Sequence, residues 1–112
     1  MKIIDTKTII INLLKEDKKT YLSVSRLQKL ISYIYDELVN RCKLSNYTTY
    51  FDINFDAIER TVLYNNNIFM LDIDGDMIYL REEISMDDLA TEYSIDEDFD
   101  SIINTFINSY AA

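Results

Sequence analysis

Carboxylates are the side chains of this sequence that could do chemistry. In "DIDGDMIYLREE" Asp72, Asp74, Asp76 and Glu83 fall at positions 1, 3, 5 and 12 of a twelve-residue segment. That is the oxygen-ligand spacing of a calcium loop of the EF-hand kind. Such a loop needs its glycine at position 6 for the sharp turn, but here Gly75 stands at position 4 and Met77 at position 6. The flanks also alternate like strands, not helices. An Asp74-Gly75 pair at the tip of a β-hairpin, in a two-residue type I′ turn, accounts for the same letters and is the preferred reading. A glycosidase would need two carboxylates facing each other across a cleft. No pair is singled out, and a chain of 112 residues leaves little room to enclose a sugar.

The rest of the catalytic repertoire is thin. The chain has no histidine, so Ser-His-Asp and Cys-His arrangements are excluded and the commonest general base is missing. One cysteine, Cys42, cannot build a zinc or iron site or an internal disulfide, and it fits a reducing compartment. Only Arg41 and Lys43 lie beside it in sequence, so it reads as half-buried filler at a helix end. The single glycine removes the P-loop and dinucleotide fingerprints. These exclusions favour a non-enzymatic protein with no cofactor and no metal.

The elements that carry the carboxylates are legible from periodicity. Residues 6–16 read as a helix capped by Asp5, although Ile9, Ile10 and Ile11 keep a buried strand open as an alternative. In "SVSRLQKLISYIYDELVNR" Leu27, Leu30, Ile31, Ile34, Tyr35, Leu38 and Val39 make one helical stripe. Ser23 with a Leu22–Leu27 staple, or Ser25 with Gln28 as a capping box, would start it. A short extended piece in 44–51 precedes a third helix, capped by Asp52 or Asn54, with Phe55, Ile58 and Val62 inward and "YNNN" ending it. The hairpin register then pairs Phe69 with Leu80 and Leu71 with Ile78 on one face, leaving Met70 and Tyr79 on the other. Ser85 caps a fourth helix striped by Met86, Leu89, Ala90 and Tyr93. Ser94 with Glu97 forms a capping box for a fifth, whose Ile95, Phe99, Ile102, Ile103, Phe106, Ile107 and Tyr110 share a face. Three helices, a wing-like hairpin and two more helices make an α+β fold class: a small, mostly helical domain with a β-hairpin, winged-helix-like, over 1–112 as a single globular domain.

Composition agrees with that size. The chain is 48% hydrophobic and 28% charged, with no proline, the balance of a globular domain with short turns. No apolar run approaches the roughly 20 residues of a membrane span, and with Asp5 before the first apolar stretch and no small-residue cleavage site a signal peptide is not expected. A cytoplasmic location is expected. An excess of Ile, Asn, Lys and Tyr, residues with A/T-rich codons, points to a low-GC bacterium or a phage infecting one.

Charge is the most informative feature. Residues 1–43 hold nine bases against five acids; residues 44–112 hold only Arg60 and Arg81 against fifteen acids. Between Glu82 and Asp100 stand nine carboxylates and no base. Asp96, Glu97 and Asp98 in the first turn of a helix complement its dipole, which accounts for three of them. A winged-helix DNA reader needs cations on its recognition helix and wing. Here the third helix carries Asp56 and Glu59 against Arg60, and the wing carries Asp72, Asp74 and Asp76 against Arg81. The interval from Arg41 to Asn54 is also too long for a helix-turn-helix turn. A DNA-binding regulator is therefore the last of three readings, and direct nucleic-acid binding is not expected. With the sign reversed, a carboxylate-lined domain fits the basic groove in which another protein holds phosphate. Asp87, Asp88, Glu92, Asp96, Glu97, Asp98 and Asp100 would present that charge to a partner, supported by Asp72, Asp74 and Asp76. Tyr47 and Tyr50, in a polar stretch, could anchor an interface; Tyr33, Tyr35, Tyr79, Tyr93 and Tyr110 read as core or core edge.

Two likenesses sharpen the expectation. In composition the chain is similar to small acidic phage inhibitors, anti-CRISPR and anti-restriction proteins among them. In "SVSRLQKLISYIYDEL" and "YFDINFDAIE", through Leu27, Gln28, Lys29 and Leu30 and then Phe51, Asp52, Phe55, Asp56 and Ala57, it resembles the opening of Panacea-domain proteins, antitoxins of phages and mobile elements. The tryptophan and Gly-Pro-Val turn that follow in that family have no counterpart here, where Ile58-Glu59-Arg60 stands. The resemblance implies a non-catalytic protein that neutralises a toxin by binding it. The leading expectation is an inhibitor of a basic, nucleic-acid-handling bacterial protein, such as a CRISPR effector or other defence nuclease. A Panacea-type antitoxin comes second.

Overall fold

The second helix shows how directly periodicity becomes packing. It runs Val24–Asn40 and buries Leu27, Leu30, Ile31, Ile34 and Leu38, the centre of the expected stripe, in a computed structural model that describes residues 2–110. Ser23 is its cap: the Ser23 hydroxyl accepts from the Arg26 amide at 3.1 Å, and Leu22 and Leu27 are both buried on either side. The alternative capping box does not form. Gln28 instead donates to the Ile53 carbonyl at 2.7 Å, tying the helix to the segment before the third helix.

The first helix, α1 (Thr6–Asp17), resolves the helix-or-strand ambiguity by its position. Every residue from Ile9 to Leu14 is buried, with neighbours on the third, fourth and fifth helices. A helix surrounded on all sides has no polar face, so its sequence carries no clean helical period. Asp5 caps it as expected, accepting from the Thr8 amide at 2.9 Å and the Thr8 hydroxyl at 2.7 Å. The buried polar residue Asn12 clamps neighbours together, donating to the Thr8 and Tyr93 carbonyls, both at 2.8 Å.

α1 and α2 (Val24–Asn40) end alike. Lys18 and Cys42 both take a left-handed conformation, φ 56°, while Lys19 donates back to Leu14 and Lys43 back to Leu38. This is a Schellman closure with a side chain where glycine is preferred. Cys42 is accordingly exposed and not half-buried filler, because the chain turns outward there.

The hairpin is part of a larger sheet. A strand between α1 and α2, β2 (Tyr21–Ser23), pairs antiparallel with β5 (Met77–Leu80), which pairs antiparallel with β4 (Phe69–Leu71). A strand from before the second helix completing a hairpin that follows the third gives the α+β domain its winged-helix character. The pairs Phe69–Leu80, Met70–Tyr79 and Leu71–Ile78 are those expected. The turn is not. A type I′ turn needs positive φ at both central residues, and of Asp74 and Gly75 only Gly75 has it, at 73°. Instead Asp72 and Met77 close a four-residue loop, and the Asp72 carboxylate accepts from the amides of Asp76 and Met77 at 2.8 and 3.2 Å. A side chain at Gly75 would also meet the Phe55 ring at 3.0 Å.

The extended piece expected in 44–51 is one strand of a second sheet, whose other strand was not legible in the sequence. β1 (Lys2–Asp5) pairs in parallel with β3 (Tyr47–Tyr50). Together with a 3-10 turn at Leu44–Asn46, β3 fills the interval after α2, so no helix-turn-helix turn exists. Asn54 caps α3 (Phe55–Tyr64), accepting from the Asp56 amide at 2.8 Å. Ile58 and Val62 point inward, whereas Phe55 leans over the wing loop. α4 (Met86–Glu92) and α5 (Glu97–Ser109) close the core with Leu89, Phe99, Ile102, Ile103 and Phe106. The buried apolar side chains form one cluster, and among the described residues no helix is long and apolar enough to cross a membrane.

Candidate functional site

The carboxylates expected to act together divide into three groups. The first opens α4. Ser85 caps that helix through the Asp88 amide, and Asp87 and Asp88 follow in its first turn, exposed, where they complement the dipole. Glu92, in the last turn, is exposed as well. Glu82 and Glu83, in the turn leading into α4, are also exposed. Those two belong to the same acidic run but stand outside the expected set; their proximity in sequence to Asp87 was the available signal. None of the five has a cationic partner among the described residues.

The second group opens α5, and there the geometry differs. The cap is Asp96 and not Ser94, because the helix begins two residues later than a Ser94 cap allows. The Asp96 carboxylate accepts from the Phe99 amide at 2.9 Å and from the Tyr47 hydroxyl at 2.9 and 3.0 Å. Tyr47 is thus a buried strut joining β3 to α5 and not an exposed anchor. Burial, the hydrogen bond to Asp96 and the negative charges of Asp96 and Asp98 push its phenol well above the ordinary tyrosine value. Asp98 accepts from Lys43 at 2.7 Å, and Asp100 accepts from Asn104 at 3.1 Å. Glu97 alone of this group stays exposed and unbonded among the described residues.

The third group is the wing. Asp72 is spent on its own loop, while Asp74 and Asp76 are exposed beside Ile73, which is wholly exposed. β5 runs from this tip back to the segment that enters α4. The wing carboxylates therefore sit at the opposite end of the hairpin from Glu82 and Glu83. Nor do they converge on an ion: among the described residues no three His, Cys, Asp or Glu side chains could hold a metal.

Five of the nine bases of the first half have partners among the described residues. Arg26 grips Asp17 with two hydrogen bonds at 3.0 and 3.1 Å and reaches the Tyr110 carbonyl. Arg41 pairs with Glu37, Lys15 with Glu16 and Lys43 with Asp98, and Lys7 lies 4.5 Å from the centre of the Tyr93 ring. These contacts leave less positive charge at the surface than the sequence count implies.

Comparison with protein-family models, curated proteins and solved structures found no match.

A groove of about 600 Å³ lies elsewhere, along α2, walled by Gln28, Lys29, Tyr33, Ile53, Phe106 and Tyr110. Apart from tyrosines its ionisable groups are Lys29 and Asp36. Burial, Glu37 and Tyr110 raise the Tyr33 phenol against the opposing effect of Arg41, so at neutral pH it is a hydrogen-bonding group and not a base. The chemistry of the groove is contact, and the strongest charge feature of the surface remains the run from Glu82 through α4 to Glu97.

Proposed function

We propose that this protein is a non-enzymatic acidic module that docks on a basic, nucleic-acid-handling bacterial protein and blocks it. A CRISPR effector or another defence nuclease in the host cytoplasm is the kind of partner such a surface fits. One observation carries the reading: Glu82, Glu83, Asp87, Asp88, Glu92 and Glu97 are exposed, with no cationic partner among the described residues. Carboxylates left this way attract a cationic groove at long range and speed encounter. Asp96, Asp98 and Asp100, engaged within the fold, contribute field more than contact. Winged-helix topology by itself would suggest a DNA reader. Against that stand exposed Asp56 on α3 and exposed Asp74 and Asp76 on the wing, the positions that would face phosphate.

The experiment is affinity capture from a low-GC bacterial lysate, with bound proteins eluted first by rising salt and then by duplex DNA. Nucleic-acid-binding proteins released by both treatments are the expected result. Captured proteins that DNA fails to displace would contradict occupation of a nucleic-acid groove. Rescue of cells from a co-encoded toxin, with no DNA-displaceable partner, would favour the antitoxin reading.

A further inference from the structure

The segment 82–95, which carries most of the exposed acids, is held less firmly than the chain on either side of it. Before it, the Arg81 amide donates to the Ile68 carbonyl at 2.9 Å and the Arg81 guanidinium reaches the Asn66 carbonyl. After it, Asp96 is fixed to the Phe99 amide and the Tyr47 hydroxyl. Between those pins only Leu89 is buried, with Ile84, Met86, Tyr93 and Ile95 partly buried against the core. The helix of the segment, α4, has seven residues and packs mainly on α1. Apart from the turn bond of Ile84 to Arg81, one hydrogen bond joins the segment to the rest of the chain among the described residues. It runs from the Asn12 side-chain amide to the Tyr93 carbonyl, at 2.8 Å.

Asn12 is costly where it stands. Its side-chain carbonyl oxygen is buried with no hydrogen-bond partner among the described residues, between the fully buried Ile11 and Leu13. Its bond to the Thr8 carbonyl lies within its own helix, so what the side chain does beyond α1 is grip Tyr93. Lys7, over the Tyr93 ring, adds a cationic contact. Against these stand Glu82, Glu83, Asp87, Asp88 and Glu92, with no base in the segment. Asp88 and Glu92 are a like-charge pair four residues apart on one helix, and Glu92 meets the negative end of the dipole; both weaken α4.

We infer that residues 82–95 form a strap that opens while the rest of the fold stays intact, latched by Asn12 on Tyr93, and that a cationic surface docking on its acids closes it. Elements with few buried apolar groups and few tertiary bonds open at a lower free energy than global unfolding. A ligand that binds the closed form better shifts the equilibrium towards it. The closure rests on the docking surface proposed above; the opening does not.

The test is native-state amide hydrogen exchange of the full chain, read by NMR at low ionic strength. The Leu89 and Tyr93 amides, bonded to the Ser85 and Leu89 carbonyls, should be protected at least about tenfold less than those of Ile31 and Ile34 in α2, without the denaturant dependence of global unfolding. Asn12→Leu should widen that gap about fivefold, as the loss of one hydrogen bond does. Lys7→Gln, which loosens Tyr93 from the other side, should act in the same direction, and Glu92→Lys should narrow the gap. Oligolysine, the cationic probe, should slow α4 exchange and leave α2 unchanged. Equal protection in α4 and α2 overturns the strap. A gap that neither Asn12→Leu nor Lys7→Gln widens overturns the latch. Oligolysine that binds without slowing α4 exchange overturns the closure, whereas oligolysine that does not bind removes the docking surface itself and the closure with it.

Discussion

α4 and α5 are consecutive helices that both open on carboxylates, and the fold treats them differently. At the head of α4, Asp87 and Asp88 are exposed with no cationic partner among the described residues. At the head of α5, Asp96 holds both the Phe99 amide and the Tyr47 hydroxyl, and Asp98 holds Lys43. Carboxylates at the head of a helix serve in one case as surface, within the first turn behind the Ser85 cap, and in the other as joinery, with Asp96 itself the cap. What separates them is the segment 43–47, from which Lys43 and Tyr47 reach the carboxylates at the head of α5. The difference shows that a count of acidic residues overstates the surface available to a partner, and that reversing all of α5's charges at once would test folding as much as binding.

The comparison can be broken most forcefully at Asp96. Asp96→Ala removes a cap and leaves the buried Tyr47 hydroxyl without its acceptor; it should cost about 2 kcal/mol in denaturant unfolding. Asp88→Ala at the head of α4 should cost well under half of that. Equal costs would mean the two helix heads are equivalent after all. Tyr47→Phe tests the same joint from the other side, with an expected loss of about 1 kcal/mol at neutral pH. It also carries a pH signature. The folded-state phenol titrates above its unfolded value of about 10, so its stabilisation is complete below that pH and drains away as pH rises beyond it. Stability should therefore fall less steeply above pH 10 in the Tyr47→Phe variant than in the wild type.

Smaller effects sharpen the contrast. Lys43→Ala breaks an ion pair whose side chains are 36 and 49% exposed, and water screens such a pair; a loss under about 1 kcal/mol is expected, shrinking further in high salt. Glu92→Lys should change stability least, by about 0.5 kcal/mol or less and in the stabilising direction, since a cation at the end of α4 suits the helix dipole better than the carboxylate there. Thermal unfolding of the two variants at low and high salt would check both.

How much of this was legible from sequence follows from where each signal lives. α2 was readable because one face meets the core and one meets solvent, so its stripe is printed in the residues. The hairpin register was readable for the same reason at period two. α1 was ambiguous because it is buried all round, and β1 was invisible because four residues of a short parallel pair carry no alternation to speak of. The turn at Asp74-Gly75 kept its location but not its type, since the Asp72 carboxylate supplies local bonds that the dipeptide alone does not reveal. At the candidate surface Asp87, Asp88 and Glu92 are exposed, as their places off the apolar stripe of α4 led one to expect. Asp96 and Asp98 read as equals of Glu97 because their partners, Tyr47 and Lys43, lie about fifty residues away in the chain. Nothing local marks a carboxylate as spoken for.

The central claim is that the acids around α4, and not the acidic composition at large, make the docking surface. It is tested most directly by equilibrium binding of a captured, DNA-displaceable protein to the wild type and to a Glu82→Lys, Glu83→Lys, Glu92→Lys variant across a range of salt. The account predicts a variant that folds normally, binds at least about tenfold more weakly at low salt and shows a shallower salt dependence. A folded variant that binds as tightly as the wild type, with the same salt dependence, would contradict it.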